Sequence, residues 1–140
     1  KVNIYLVMNV FHKNLPKDIN KILSNENVKL KNFDQKGLLD KIDLLYYPSK
    51  FKVGVRSKIL FCMAKKILIA TNEISKYGIP ELKSNFNCLS SNNNFELADQ
   101  IINIIDKKKK INFLNTNAYN LIKKNYFPKK AIDQIAKSIK

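Results

Sequence analysis

The residues best suited to chemistry lie together in one stretch, Pro48-Ser49-Lys50-Phe51-Lys52-Val53-Gly54-Val55-Arg56-Ser57-Lys58. Directly after it comes Ile59-Leu60-Phe61-Cys62-Met63-Ala64, an apolar segment with helical spacing. A glycine at a loop-to-helix junction lets the backbone come close to a ligand. The N–H groups of a first helical turn lack intrahelical partners and carry partial positive charge, so they suit an anion. Arg56, Ser57 and Lys58 fall in that turn, where cations oppose the helix dipole. A bound phosphate explains such a pair better than helix stability does, with a solvated loop as the plainer alternative. The candidate anion site is thus Gly54, Val55, Arg56, Ser57 and Lys58, and no residue is singled out as catalytic.

Little else in the chain points to chemistry. His12 is the only histidine, and Cys62 and Cys88 are the only thiols, without a CxxC pair. No metal site built on His and Cys spacing is expected, and no Cys–His couple. Cys62, inside an apolar run, reads as a small core residue. A reducing cytoplasm fits this usage.

In an open parallel sheet, ligands bind beyond the carboxyl ends of the strands, so the elements around the loop decide what it can do. Val2 to Met8 reads as a buried strand, and Val28 to about Phe33 as a second, with Leu15, Ile19, Ile22 and Leu23 at helical spacing between them. A short helix is expected from Gln35 to about Lys41. Leu44 to Tyr47, stopped by Pro48, forms a third strand, which places the candidate loop at a strand's carboxyl end. A helix from about Arg56 to Lys65 leads to a fourth strand, Ile67 to Thr71, and Phe86 to Ser90 adds a short fifth. Strand alternating with helix is the rhythm of a parallel sheet with crossover helices. The fold class is α/β: a Rossmann-like parallel sheet with helices on both faces and C-terminal helices packed on it.

Three helices are expected in the last third. Asn93 followed by Glu96 resembles a capping box and opens a stripe of Leu97, Ala98, Ile101, Ile102 and Ile105. A second stripe runs through Ile111, Leu114, Ala118, Leu121 and Ile122. Pro128 opens a third, with Ala131, Ile132, Ile135, Ala136 and Ile139. Such stripes are core-facing patterns. The run Lys107 to Lys110 is placed between two helices.

The chain has 140 residues and a net charge of +15. Of its 26 cations, 25 are lysine and one, Arg56, is arginine. Abundant Lys, Asn and Ile are what an AT-rich genome favours, whereas phosphate readers lean on the planar fork of arginine. Solvated lysine faces account for most of the charge, and a basic surface toward membrane lipid or nucleic acid is the alternative. Specific nucleic-acid binding is not expected: there is no arginine cluster, glycine-aromatic motif or recognition-helix signature. No apolar run approaches the roughly 18 residues of a membrane span. One domain, residues 1–140, is expected, as an excerpt of a longer two-domain protein.

The ordered series Asp43-Leu44-Leu45-Tyr46-Tyr47-Pro48-Ser49, Gly54-Val55-Arg56-Ser57-Lys58-Ile59-Leu60, Met63-Ala64 and Lys66-Ile67-Leu68-Ile69-Ala70-Thr71 resembles the C-terminal domain of family-4 glycosyltransferases of the GT-B group. Gly78-Ile79-Pro80-Glu81-Leu82 and Asn87-Cys88-Leu89 resemble that family's following segments. The resemblance implies the nucleotide-sugar-binding half of a two-domain transferase that moves a sugar from a nucleoside-diphosphate donor to a glycan or lipid-linked acceptor. It implies no cofactor, the nucleotide sugar being the substrate, and no metal, since protein cations and helix dipoles stabilise the leaving diphosphate. Gly54, Val55, Arg56, Ser57 and Lys58 would line the donor site, while Phe33 and Phe61 would lie at the nucleotide pocket. The acceptor would be held by a preceding N-terminal domain, and a cytoplasmic protein is implied, with room for peripheral contact with the inner membrane face. One departure matters: Phe61 stands where the family has the glutamate that contacts the ribose. The alternative is a non-catalytic GT-B-like interaction module. In either case these 140 residues alone are not expected to catalyse transfer.

Overall fold

A computed structural model describes residues 4–8, 17, 21, 23–32 and 37–127. The chain divides into two compact units, residues 1–41 and 42–140. In the first, β1 (Ile4–Met8) pairs in parallel with β2 (Val28–Asn32), Ile4 opposite Val28 and Met8 opposite Asn32. Parallel pairing requires a crossover between the strands. Of the helix expected there, Lys17, Lys21 and Leu23 are helical, and the rest lies outside the described residues. Of the helix expected from Gln35 to about Lys41, residues 37–41 are described and hold a single 3-10 turn, Leu39–Lys41, while residues 35–36 lie outside the described residues.

The second unit is built on a three-stranded parallel sheet, in the order β3 (Leu44–Tyr46), β4 (Leu68–Thr71), β5 (Leu89–Ser90). Every residue of β4 is buried, the mark of a parallel strand covered on both faces. Its alternating side chains serve two cores. Leu68 and Ala70 join Leu89, Leu97, Ile104 and Leu114 in one cluster, edged by Leu44, Ile101 and Ile111. Ile69 and Thr71 point the other way by the period of two.

Three helices follow. Helix α1 (Ser57–Ala64) buries Ile59, Cys62 and Met63 and packs against β4. It ends with Lys66 in the left-handed region, φ 58°, where Lys66 N–H bonds Met63 O and Ile67 N–H bonds Cys62 O. That arrangement usually takes glycine. Helix α2 (Asn94–Ile104) packs against β4 and β5, and α3 (Lys108–Asn125) packs against α1, α2 and β4.

Two expectations for this region need correction. The contact stripe of α2 is Leu97, Ile101 and Ile104. Ala98, Ile102 and Ile105 are exposed, because the helix lies on the sheet along one narrow seam. Lys107 to Lys110 do not separate two helices: Lys107 is the N-cap of α3, and the other three form its first turn. The stripe of α3 does face inward, with Leu114, Ala118 and Ile122 buried. The third C-terminal helix, opened by Pro128, lies outside the described residues.

Candidate functional site at the carboxyl ends of the strands

The chain leaves β3 at Tyr46 and does not become helical until Ser57. This loop is pinned from beneath by hydrogen bonds. Tyr47 N–H bonds Ala70 O at 2.9 Å, continuing the ladder one residue past the strand. Ser49 and Asn72 then bond each other twice: Ser49 N–H donates to Asn72 Oδ1 at 3.0 Å, and Asn72 Nδ2 donates to Ser49 O at 2.7 Å.

Below them lies a chain of buried hydroxyls. Ser49 Oγ and Ser75 Oγ are 2.7 Å apart, and Thr71 Oγ1 is 2.6 Å from both Ser75 Oγ and Tyr47 O. A hydroxyl has one proton and a carbonyl can only accept. With Thr71 donating to Tyr47 O, Ser75 donates to Thr71, and Ser49 to Ser75. All three side chains are buried, so this chain satisfies groups whose burial would otherwise be costly.

Higher in the loop the support is steric. A Cβ on Gly78 would collide with the carbonyl of Gly54 and reach 3.0 Å from Val53 O. Only glycine allows the 78 backbone to lie against the 53–54 backbone. Gly54 itself meets nothing on its open side. The glycine that lets the chain approach a surface from outside is Gly54, and the one that holds the loop down is Gly78.

The start of α1 is open. Arg56 is its N-cap, at φ −91° and ψ 87°, and no side chain caps the helix. No acid stands in the first turn. The Arg56 Nη2 donates to Phe51 O at 3.0 Å, folding the loop over itself. Its Nε is buried without a hydrogen-bond partner. Gly54, Val55 and Ser57 are exposed, and Lys58 is half-buried. The five residues singled out in the sequence are consecutive on this loop and first turn. Phe61 lies in the next turn of α1, 52% exposed, while Phe33 lies outside the described residues.

Sequence reasoning missed the segment facing this loop. Residues 73–77 form a 3-10 helix, whose inward residue is Ser75 rather than a large apolar one. Glu73 accepts from Ser90 Oγ at 2.7 Å and pairs with Lys76. The side-chain bonds from Lys76 and Ser90 hold its carboxyl below the usual range, against the opposing effect of burial. Farther along, Glu81 accepts from Tyr126 Oη at 2.7 Å and Asn125 Nδ2 at 3.0 Å. Burial pushes the Glu81 carboxyl up, but the bonds from Tyr126, its own backbone and Asn125 outweigh it, and its pKa is lowered. Tyr126 is raised to about 12 by burial, then by its bond to Glu81 and the negative charge there. The thiols take no part: burial first of all pushes Cys62 and Cys88 up to about 11, which leaves them protonated and inert.

Comparison with solved structures identifies the architecture. The chain superposes on Anabaena HepE, solved in complex with UDP-glucose, with a TM-score of 0.74 and 17% identity over 88% of this chain and 35% of that one. It also superposes on the C-terminal domain of LpcC, a glycosyl transferase group 1 family protein from Francisella tularensis. There the TM-score is 0.65 and the identity 17%, over 80% of this chain and 60% of that one. The fold is that of a GT-B glycosyltransferase C-terminal domain. The Rossmann-like class expected from the strand and helix order is thereby shown. No family model matches the sequence, and neither does any curated protein, so the likeness is carried by shape. The chain spans about a third of HepE, and in the GT-B fold the loop 47–56 stands at the carboxyl edge of the sheet. No helix among the described residues is long and apolar enough to cross a membrane.

Proposed function

We propose that this chain is the donor-binding domain of a glycosyltransferase that uses a nucleoside-diphosphate sugar. One observation carries the reading: an uncapped, cation-bearing helix start sits at the carboxyl edge of a parallel sheet whose fold is shared with a protein solved with UDP-glucose. In this reading the N–H groups at the start of α1 and the Arg56 and Lys58 side chains receive the diphosphate, and Gly54 lets the loop backbone approach it. The protein supplies positive charge where negative charge grows as the sugar leaves. The glycan or lipid-linked acceptor would come from a second domain, in assembly of polysaccharide on the cytoplasmic side. Thermal-shift measurements with UDP, GDP and their sugars test this: one nucleotide class should raise the melting temperature, and inorganic phosphate should compete with it.

A second reading is favoured by Phe61. Its ring is half-exposed on α1, where the resembling family has a carboxylate for the ribose hydroxyls. A phenyl ring cannot accept those bonds, so a chain that kept the fold as a non-catalytic interaction module would look like this. If wild type binds no nucleotide and Phe61→Glu does, the second reading holds. If wild type binds already, it falls.

A further inference from the structure

The turn that holds the candidate loop down, residues 78–82, is itself held at both ends, and the donor-site reading uses only one of them. At the near end Gly78 lies against the carbonyls of Val53 and Gly54, too close for any Cβ. At the far end both carboxylate oxygens of Glu81 are taken up at the end of α3. Oε1 accepts from Asn125 Nδ2 at 3.0 Å, and Oε2 accepts from Tyr126 Oη at 2.7 Å. These partners lie 44 and 45 residues along the chain, so the bonds fix tertiary rather than local structure.

Between these ends the turn is stiff. Pro80 fixes one backbone angle, Leu82 N–H bonds Ile79 O at 3.1 Å, and the Ile79 and Leu82 side chains are buried. Asn87, also buried, clamps the turn a second time, donating to Glu81 O at 3.0 Å and accepting from Lys83 N–H at 2.7 Å. Gly78 and Glu81 are three residues apart, which keeps their Cα atoms within about 11 Å. A close-packed segment of that length transmits strain, so a shift at Glu81 reaches the Gly54 carbonyl.

The stability of α3 does not account for this acid. A carboxylate at the carboxyl end of a helix opposes its dipole, and Lys123 and Lys124 already stand in that last turn. The chain has only 11 acids, and one of them is placed where it disfavours the helix it contacts. What its two bonds do fix is the distance from the end of α3 to the turn that bears Gly78.

We infer that Glu81 is a positioning residue for the candidate loop. Through Asn125 and Tyr126 it sets where Gly78 meets Gly54, and so how the first turn of α1 is presented to a ligand. Glu81 acts through Gly78, not on the ligand. The functional consequence rests on the donor-site reading of the loop, whereas the mechanical one does not. The end of α3 thereby becomes part of the site's support, and whatever displaces Tyr126 loosens the loop.

Hydrogen–deuterium exchange of the unliganded protein, read by peptide mass spectrometry, tests it. In Glu81→Ala the amides of residues 47–56 should exchange about tenfold faster. Tyr126→Phe removes one of the two bonds and keeps the ring, so it should quicken the same amides by a smaller factor. It also carries the test if circular dichroism shows that Glu81→Ala is unfolded. Glu81→Gln keeps a carbonyl for Tyr126 Oη and should restore most of the protection. Asn93→Ala is the control: it weakens the fold at the other helix start and should leave 47–56 at the wild-type rate. Acceleration there no greater in Glu81→Ala and Tyr126→Phe than in Asn93→Ala would overturn the inference. Titration with UDP and GDP separates it from the donor-site reading. The nucleotide that binds wild type should bind Glu81→Ala about tenfold more weakly, and equal affinity would overturn the positioning role. Binding of neither to wild type would overturn the donor-site reading instead, with the exchange rates still deciding what Glu81 holds.

Discussion

After β3 and after β5 the chain leaves the same edge of one sheet and then starts a helix, in two opposite ways. The β5 exit is short and closed by its own side chains. Asn93 Oδ1 accepts from Phe95 N–H at 2.9 Å and Glu96 N–H at 3.4 Å, while Ser91 Oγ bonds Glu96 Oε2 at 2.6 Å and accepts from Asn93 N–H at 3.0 Å. Acid and cap sit where the dipole favours them. The β3 exit takes ten residues, exposes Phe51, Val53 and Val55, and reaches a helix with an arginine at its N-cap. Its order comes from neighbours, through the Ser49–Asn72 pair and the Gly78 backbone. One helix start is completed by the fold, and the other is held in shape with its end unfilled. That contrast is the physical case for a ligand at α1 and not at α2.

The largest expected effect tests the support of the open end. Gly78→Ala forces a Cβ into the Gly54 carbonyl and should cost about 3 kcal/mol, read from urea denaturation, with donor binding lost alongside. Full stability would mean that the loop moves freely and is not pinned. Next, Ser75→Ala removes the central hydroxyl and leaves those of Ser49 and Thr71 without their relay. A loss of about 2 kcal/mol is expected.

The contrast itself is tested by exchanging the two ends. Asn93→Ala should cost about 1 kcal/mol and leave nucleotide binding unchanged. Arg56→Asp places an acid at the open end, and should cost no more than about 0.5 kcal/mol while weakening donor binding sharply. Equal destabilisation by both would make Arg56 a structural residue.

The smallest effect is in pH. Glu81 has a lowered pKa in the fold, so its contribution is present above about pH 4.5 and lost as pH falls through its folded value. Tyr126 is raised to about 12, so its contribution is present below pH 10 and lost as pH rises toward 12. Tyr126→Phe should flatten the alkaline limb of a melting-temperature profile.

Much of this was legible in the sequence, for identifiable reasons. Buried parallel strands are nearly continuous apolar runs, so β3 and β4 were placed within a residue. The Asn93–Glu96 pair announced its own helix. Lys107–Lys110 misled, because a lysine-rich first turn contradicts the dipole rule that marks helix starts. The 3-10 helix at 73–77 left no apolar period to read, since its core residue is a serine. The pinning of Gly54 by Gly78 joins positions 24 apart, and no local pattern encodes it. The candidate loop could be found from glycine, cations and the strand before it, but what holds it required the fold.

The most direct test is a calorimetric titration of whichever UDP- or GDP-sugar raises the melting temperature most into the protein, wild type and Lys58→Ala. Saturable binding is expected in wild type, weakened at least tenfold in the variant by loss of a charged contact. Binding of equal strength in both would contradict the placement of the donor at the start of α1.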